Sequence, residues 1–235
     1  MNNLQLVQSL AYINGQWTSA QSGATMNVVN PANGAIITSV PDMTAEDAEA
    51  AVLAADNALM TWRKTTPKQR AILLRAWFNL IVDNADALAK LLTSEQGKPY
   101  KEAYGEVMYG ASFVEWFAEE GKRTYGDNIP APMPGNRYMT IKQPVGVVTA
   151  ITPWNFPVAM ITRKVAPALA AGCTVIVKPG EDTPLCALAM AKLAEQAGIP
   201  KGVINVVTTK QPAAVGEVLC THPLVRKVSF TGSTA

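Results

Sequence analysis

The stretch "ITPWNFPVAMITRK", residues 151–164, places an amide and an arginine where chemistry can use them. Asn155 lies between Trp154 and Phe156, with Pro153 and Pro157 outside them. Pro153 stiffens the exit from an apolar run, and Pro157 suits the first turn of a helix, so Asn155 is expected on a rigid corner. A side-chain NH2 held there can donate to an oxygen that gains negative charge during a reaction. The other reading is a helix N-cap, a position at which Asn is favoured. Arg163, about two helical turns on, carries a planar fork that matches a carboxylate. It can equally pair with a nearby carboxylate, a common arrangement for a helix arginine.

Three further loops carry groups of the same kind. In a parallel sheet, ligands bind beyond the carboxyl ends of the strands. That rule selects "TPWN", "KPGED", "TTKQP" and "TGST". Lys178 offers a point charge and Glu181 a two-oxygen acceptor for a ribose diol. Gly232 offers bare backbone N–H and Ser233 a hydroxyl, both suited to a pyrophosphate. The fingerprint GxGxxG is absent, and so is a P-loop: Gly105 and Gly110 have the spacing, but Ala111 stands where the lysine belongs. The cysteines, Cys173, Cys186 and Cys220, have no paired spacing, which points to a reducing compartment. Cys220 with His222 suggests a dyad, but the pair is expected in a helix-to-strand turn, away from the ligand edge. All three cysteines are expected to be small, buried and inert. One histidine and no CxxC exclude an ordinary zinc site.

The elements that must hold these loops follow from periodicity. "YINGQW" and "MNVVNPANG" read as short strands with tight turns. Thr44 with Asp47 resembles a capping box, and Ala48, Ala51, Val52, Ala55, Leu59 and Trp62 share one helix face. Thr66-Pro67 starts a second helix, expected to turn Ile72, Leu73, Trp77, Leu80 and Ile81 inward. A third helix runs from near Asp83 to Gly97. A fourth runs from Tyr100 to about Arg123, with Phe113, Trp116 and Phe117 in the core. After the Pro-rich "NIPAPMPGN", strands alternate with helices: "YMTIKQPVGVVTAI" as two strands, then "CTVIVKP", "GVINVV" and "VRKVSFTG" with helices between. That alternation predicts an α/β fold with a doubly wound parallel sheet.

"ITPWNFP", "KPGEDTP" and "FTGST", in this order, resemble the aldehyde dehydrogenase superfamily. The resemblance extends from "YINGQW" and "VVNPANG" onwards. "GKPYKEAYGEV", "EWFAEEGKRTYGD" and "AMITRKVAPALAAGCTVIVKPGEDTP" are similar to its succinate-semialdehyde-oxidising branch. The resemblance implies a Rossmann-like cofactor region over 145–235, a strand linker of an oligomerisation element over 136–144, and N-terminal strands and helices over 1–135 packed on the cofactor region. It implies Asn155 as oxyanion donor and Arg163 as clamp for the carboxylate of a semialdehyde. It assigns the cofactor to Thr152, Pro153, Trp154, Lys178, Pro179, Gly180, Glu181, Gly216, Gly232 and Ser233. The carboxylate after "KPG" repels a 2′-phosphate, which favours NAD over NADP. The family pattern usually has glycines where this chain has "TTKQP".

In that family a cysteine thiolate attacks the aldehyde, hydride passes to the nicotinamide, and a glutamate activates the water that releases the acid. The cysteine and glutamate lie C-terminal to the "FTGST" loop, so this chain is expected to hold the cofactor without turnover, its catalytic domain lying beyond Ala235. The resemblance also implies a homo-oligomer. Glutarate semialdehyde or another ω-carboxy aldehyde is an alternative substrate, and a non-catalytic nucleotide-binding protein is an alternative of another class. Composition supports a folded cytoplasmic protein: 49% of residues are hydrophobic and 16% charged, which excludes disorder. A net charge of +2 with no basic tract gives no case for nucleic acid, and no apolar run reaches the ~18 residues of a membrane span.

Overall fold

The computed structural model describes residues 6–233. Asn14 and Gly15 both take positive φ, the geometry of a tight hairpin turn, and join β1 (Ala11–Ile13) to β2 (Gln16–Thr18). A second hairpin pairs β3 (Thr25–Val29) with β4 (Ile36–Pro41). Four helices follow: α1 (Ala45–Trp62), α2 (Pro67–Asp83), α3 (Ala85–Gln96) and α4 (Tyr100–Glu120). Capping boxes open α1 at Thr44/Asp47 and α2 at Thr66/Gln69, and Gly97 ends α3 in the left-handed region. The Pro-rich stretch lies inside a small exposed hairpin, β5 (Asn128–Ile129) with β6 (Tyr138–Met139).

The alternating part then builds the main sheet from β7 (Val147–Ile151), α5 (Ala159–Ala171), β8 (Thr174–Lys178), α6 (Pro184–Gln196), β9 (Ile204–Val206), α7 (Pro212–Thr221) and β10 (Val225–Phe230). The strand order is β10-β7-β8-β9-β1-β2. The first four strands are parallel, and the β1–β2 hairpin adds an antiparallel edge through Tyr12 opposite Val206. The sheet is doubly wound. On one face, α1 and α7 pack over Val147, Ile176 and Val207. On the other, α5 and α6 cover Val148, Ala150, Val175 and Val177, and α2, α3 and α4 close over them in one continuous core. Both faces are covered, so β7, β8 and β9 are apolar almost throughout. At Gly110 a Cβ would lie 2.9 Å from the Val158 side chain, so the missing side chain lets α4 lie directly on the start of α5.

Some packing expectations need correction. Ile72 is 59% exposed, and Leu74 takes the inward place: the buried stripe of α2 is Arg70, Ala71, Leu74, Trp77 and Ile81. Trp116 is 63% exposed, because the buried face of α4 runs through Ala103, Val107, Gly110, Ala111, Val114 and Ala118. Phe113 and Phe117 flank that face and are half-buried. The strand expected from "YMTI" shortens to Tyr138–Met139. No helix among the described residues is long and apolar enough to cross a membrane.

Candidate functional site

The strand order reverses beside β7, with β8 on one side and β10 on the other, and there a crevice opens at the carboxyl edge. Ile151 is in register with both Lys178 and Phe230, so three loops leave the sheet side by side. The Thr152 N–H donates to the Lys178 carbonyl at 3.0 Å, and the Thr231 N–H donates to the Ile151 carbonyl at 3.1 Å. A groove of about 690 Å³ runs between these loops and the start of α7. Its lining contains Thr152, Pro153, Trp154, Lys178, Gly180, Glu181, Gly216, Gly232 and Ser233. Of the residues expected at the cofactor, only Pro179 lies outside the wall, buried between two that form it.

Two glycines shape the groove. A Cβ on Gly180 would sit 2.9 Å from the Trp154 backbone nitrogen, so the "KPG" loop packs directly on the "TPWN" loop. A Cβ on Gly216 would meet nothing within 4 Å, which leaves that wall open to a flat ligand. Lys178 is buried, and its ammonium is held by the Glu181 carboxylate and the Pro179 carbonyl. The Thr152 hydroxyl is buried with no hydrogen-bond partner among the described residues, an orphan that a ligand's polar atom can satisfy. Apolar walls, an orphan hydroxyl and a carboxylate fit a dinucleotide.

Two expectations fail at this edge. The hydroxyls of the third loop face away: Thr208 donates to the Pro41 carbonyl and Thr209 to the Met43 carbonyl, each at 2.7 Å. Of the "TTKQP" stretch only Pro212, which opens α7, reaches the groove. Cys173 and Cys186 are buried, but Cys220 is exposed and lines the groove. It lies in the last turn of α7 rather than in the following turn, and the helix turns it toward the crevice. Burial, followed by the nearby Glu95, pushes the Cys186 thiol well above its ordinary value. That thiol is not a nucleophile.

Asn155 is exposed beyond β7, and its side chain makes no hydrogen bond among the described residues. The helix starts later than expected, at Ala159 with Val158 as its cap residue, so Asn155 is not the N-cap. The cap acceptor is Glu106 of α4, whose Oε1 accepts from the N–H groups of Val158 at 2.9 Å and Ala159 at 3.3 Å. Arg163 is exposed and forms no ion pair among the described residues; its guanidinium stands 5.3 Å from the centre of the Phe113 ring. Lys164 donates to the Thr231 hydroxyl and so ties α5 to the loop after β10. Burial, then the neighbouring Arg163 charge, lowers its pKa.

The sequence reading missed Glu106, Lys98 and Glu95. Glu95 of α3 accepts from the Leu185 and Cys186 N–H groups, both at 2.8 Å, and so caps α6 as Glu106 caps α5. Burial pushes the Glu95 carboxyl up from its ordinary value to about 7. One signal was available: Glu95 and Glu106 fall on the apolar, inward stripes of their helices, where an acid needs an interior partner.

The aldehyde dehydrogenase family model matches residues 17–235. An NADP-linked succinate-semialdehyde dehydrogenase of Escherichia coli is 57% identical over the whole chain, and a glutarate-semialdehyde dehydrogenase of Pseudomonas aeruginosa is 56% identical. The chain covers 48% of each, so it spans about half the length of these relatives. The crystal structure of a succinate-semialdehyde dehydrogenase from Burkholderia pseudomallei superposes with a TM-score of 0.97 at 54% identity, covering all of this chain and 48% of that one. A betaine aldehyde dehydrogenase of Staphylococcus aureus, solved with NAD+, superposes at 0.94 with 37% identity, covering 98% of this chain and 47% of that one. The chain belongs to the aldehyde dehydrogenase family.

Proposed function

We propose that this member of the aldehyde dehydrogenase family carries the cofactor groove, the oxyanion donor and the carboxylate clamp of an NAD-linked enzyme that oxidises succinic semialdehyde to succinate. The observation that carries the reading is that Asn155 and Arg163, at the start of α5, are both exposed and engage no carboxylate or cap bond among the described residues. Asn155 donates to the aldehyde oxygen as it becomes negative, and Arg163 holds the distal carboxylate. Bound NAD supplies the hydride acceptor. Thr152, Trp154, Gly216, Gly232 and Ser233 seat it, and Glu181 accepts from the adenosine ribose and disfavours a 2′-phosphate. Cys220, the one exposed cysteine, lines the cofactor groove from the last turn of α7 and is given no catalytic role. The chain alone therefore binds the dinucleotide without turning over aldehyde. We place the full enzyme in the cytoplasm as a homo-oligomer, as the family resemblance implies.

A second reading keeps the chemistry and lengthens the substrate to glutarate semialdehyde. It is supported by the 56% identity to the Pseudomonas aeruginosa enzyme of that name and by a single clamp that sets no chain length. The test is a chimera that joins this chain to the C-terminal half of the Escherichia coli relative, assayed for reduced nicotinamide with both semialdehydes. Faster turnover of the four-carbon substrate supports the first reading, and faster turnover of the five-carbon substrate supports the second. Turnover by the chain alone overturns the division of labour proposed here.

A further inference from the structure

The corner that carries Asn155 does not hold itself in place. Pro157 has no N–H and Val158 has no side-chain acceptor; the Met160 N–H donates to the Phe156 carbonyl at 3.0 Å, but the Val158 and Ala159 amides find their acceptor outside the corner. Glu106 reaches them from α4 with one carboxylate oxygen, and its side chain is only 1% exposed. A carboxylate buried so deeply is costly without a counter-charge. Lys98, just before α4, supplies it: its ammonium meets the other oxygen of Glu106. The same ammonium donates to the Asn155 carbonyl at 2.9 Å and stands 3.9 Å from the centre of the Phe156 ring. One cation therefore touches the residue under discussion, its neighbour and the acid that caps the following helix.

We infer that Lys98 and Glu106 are positioning residues for Asn155: they fix its backbone from behind, so that its amide points one way into the substrate side. The Asn155 side chain has no hydrogen-bond partner among the described residues, so its backbone, which sets the Cα–Cβ direction, is the part that this chain can hold. Oxyanion donors must be held to within about half an ångström, which an exposed corner between two prolines does not achieve unaided. The Lys98 ammonium supplies the missing restraint from the main-chain side. Glu106 fixes the far end of the corner at Val158, and Gly110, one turn on, lets the two helices come close enough for it to reach. The catalytic part of this inference rests on the proposed role of Asn155; the mechanical part does not.

The test uses backbone nitrogen relaxation and amide exchange on the labelled 235-residue chain, with NAD affinity measured by calorimetry on the same samples. In Lys98→Met, Asn155 and Phe156 should lose backbone order, and the Val158 and Ala159 amides should exchange about tenfold faster. The rest of the spectrum should stay in place, and NAD affinity should remain within about twofold. Lys98→Arg should restore the order, because a guanidinium can reach the same groups. If Lys98→Met does not fold, Lys98→Gln takes its place. Unchanged order at Asn155 overturns the inference, and so does a uniform loss of protection across the chain that Lys98→Arg fails to rescue. A wild-type chain that binds no NAD counts against the proposed function, while the relaxation data are read independently of it.

Discussion

The ammonium of Lys178 and the carboxylate of Glu181 form an ion pair at the wall of the groove, with the lysine buried and the glutamate side chain 35% exposed. The pair keeps a partly neutralised acceptor in front of the space where an adenosine ribose would lie. Removing the acid frees a buried cation to meet a phosphate. Glu181→Ser is expected to shift the ratio of NAD to NADP affinity toward NADP by about tenfold. Calorimetric titration with both dinucleotides measures it, and an unchanged ratio removes the charge argument for NAD.

Arg163 faces an aromatic ring and pairs with no acid among the described residues, which leaves its charge for a ligand. In the chimera with the Escherichia coli C-terminal half, Arg163→Leu should lower kcat/KM for succinic semialdehyde by about a hundredfold. Butanal, which has the same length and no carboxylate, should lose less than about threefold. Equal losses for both aldehydes would mean that Arg163 acts through the structure rather than on the carboxylate.

Glu95 ties stability to pH. Its carboxyl titrates near 7 when folded, against an ordinary value of 4.5, chiefly because of burial. Between those values the folded chain holds a proton that the unfolded chain has released. Stability therefore falls as pH rises from about 4.5 to about 7 and then levels off, by about 3 kcal/mol in all. Urea unfolding across that range should show the decline. Glu95→Gln, which keeps an acceptor for the Leu185 and Cys186 amides, should flatten it.

Gly216 lies on α7 with open space in front of it. Gly216→Leu should leave Tm unchanged or slightly higher, because leucine favours the helix by up to about 1 kcal/mol. The new side chain projects into the groove, so NAD binding should weaken at least about tenfold. A folded variant with intact NAD affinity would show that the cofactor does not lie against α7.

Much of the fold was legible where the determinants are local. The Asn14-Gly15 turn, the caps at Thr44 and Thr66 and the stop at Gly97 are each written within a few residues. The groove was also legible: three of the four loops chosen by the carboxyl-edge rule meet there, and of the residues that the resemblance assigned to the cofactor all but one line it. What the sequence hid depends on partners far along the chain. The inward stripes hint that Glu95 and Glu106 are buried but do not name the α6 and α5 amides they serve, and the Thr208 and Thr209 hydroxyls are taken by Pro41 and Met43. Trp116 and Ile72 were misplaced because hydrophobicity alone does not say which side of a helix meets its neighbours, and the small residues of α4 mark its contact face better than its aromatic ones do. Cys220 was expected at the end of its helix and buried, but the end of α7 leaves it exposed at the groove.

The two buried glutamates bear on how this protein can be recombined. Each grows from the helical layer and terminates a helix of the nucleotide layer, so a gene crossover placed between residues 121 and 146 would separate both acids from the amides they serve. A cofactor region transplanted without its helices arrives with two frayed helix starts, one beside Asn155 and one beside Glu181. Shuffled or engineered dehydrogenases of this kind should therefore tolerate junctions after β10 far better than junctions before β7.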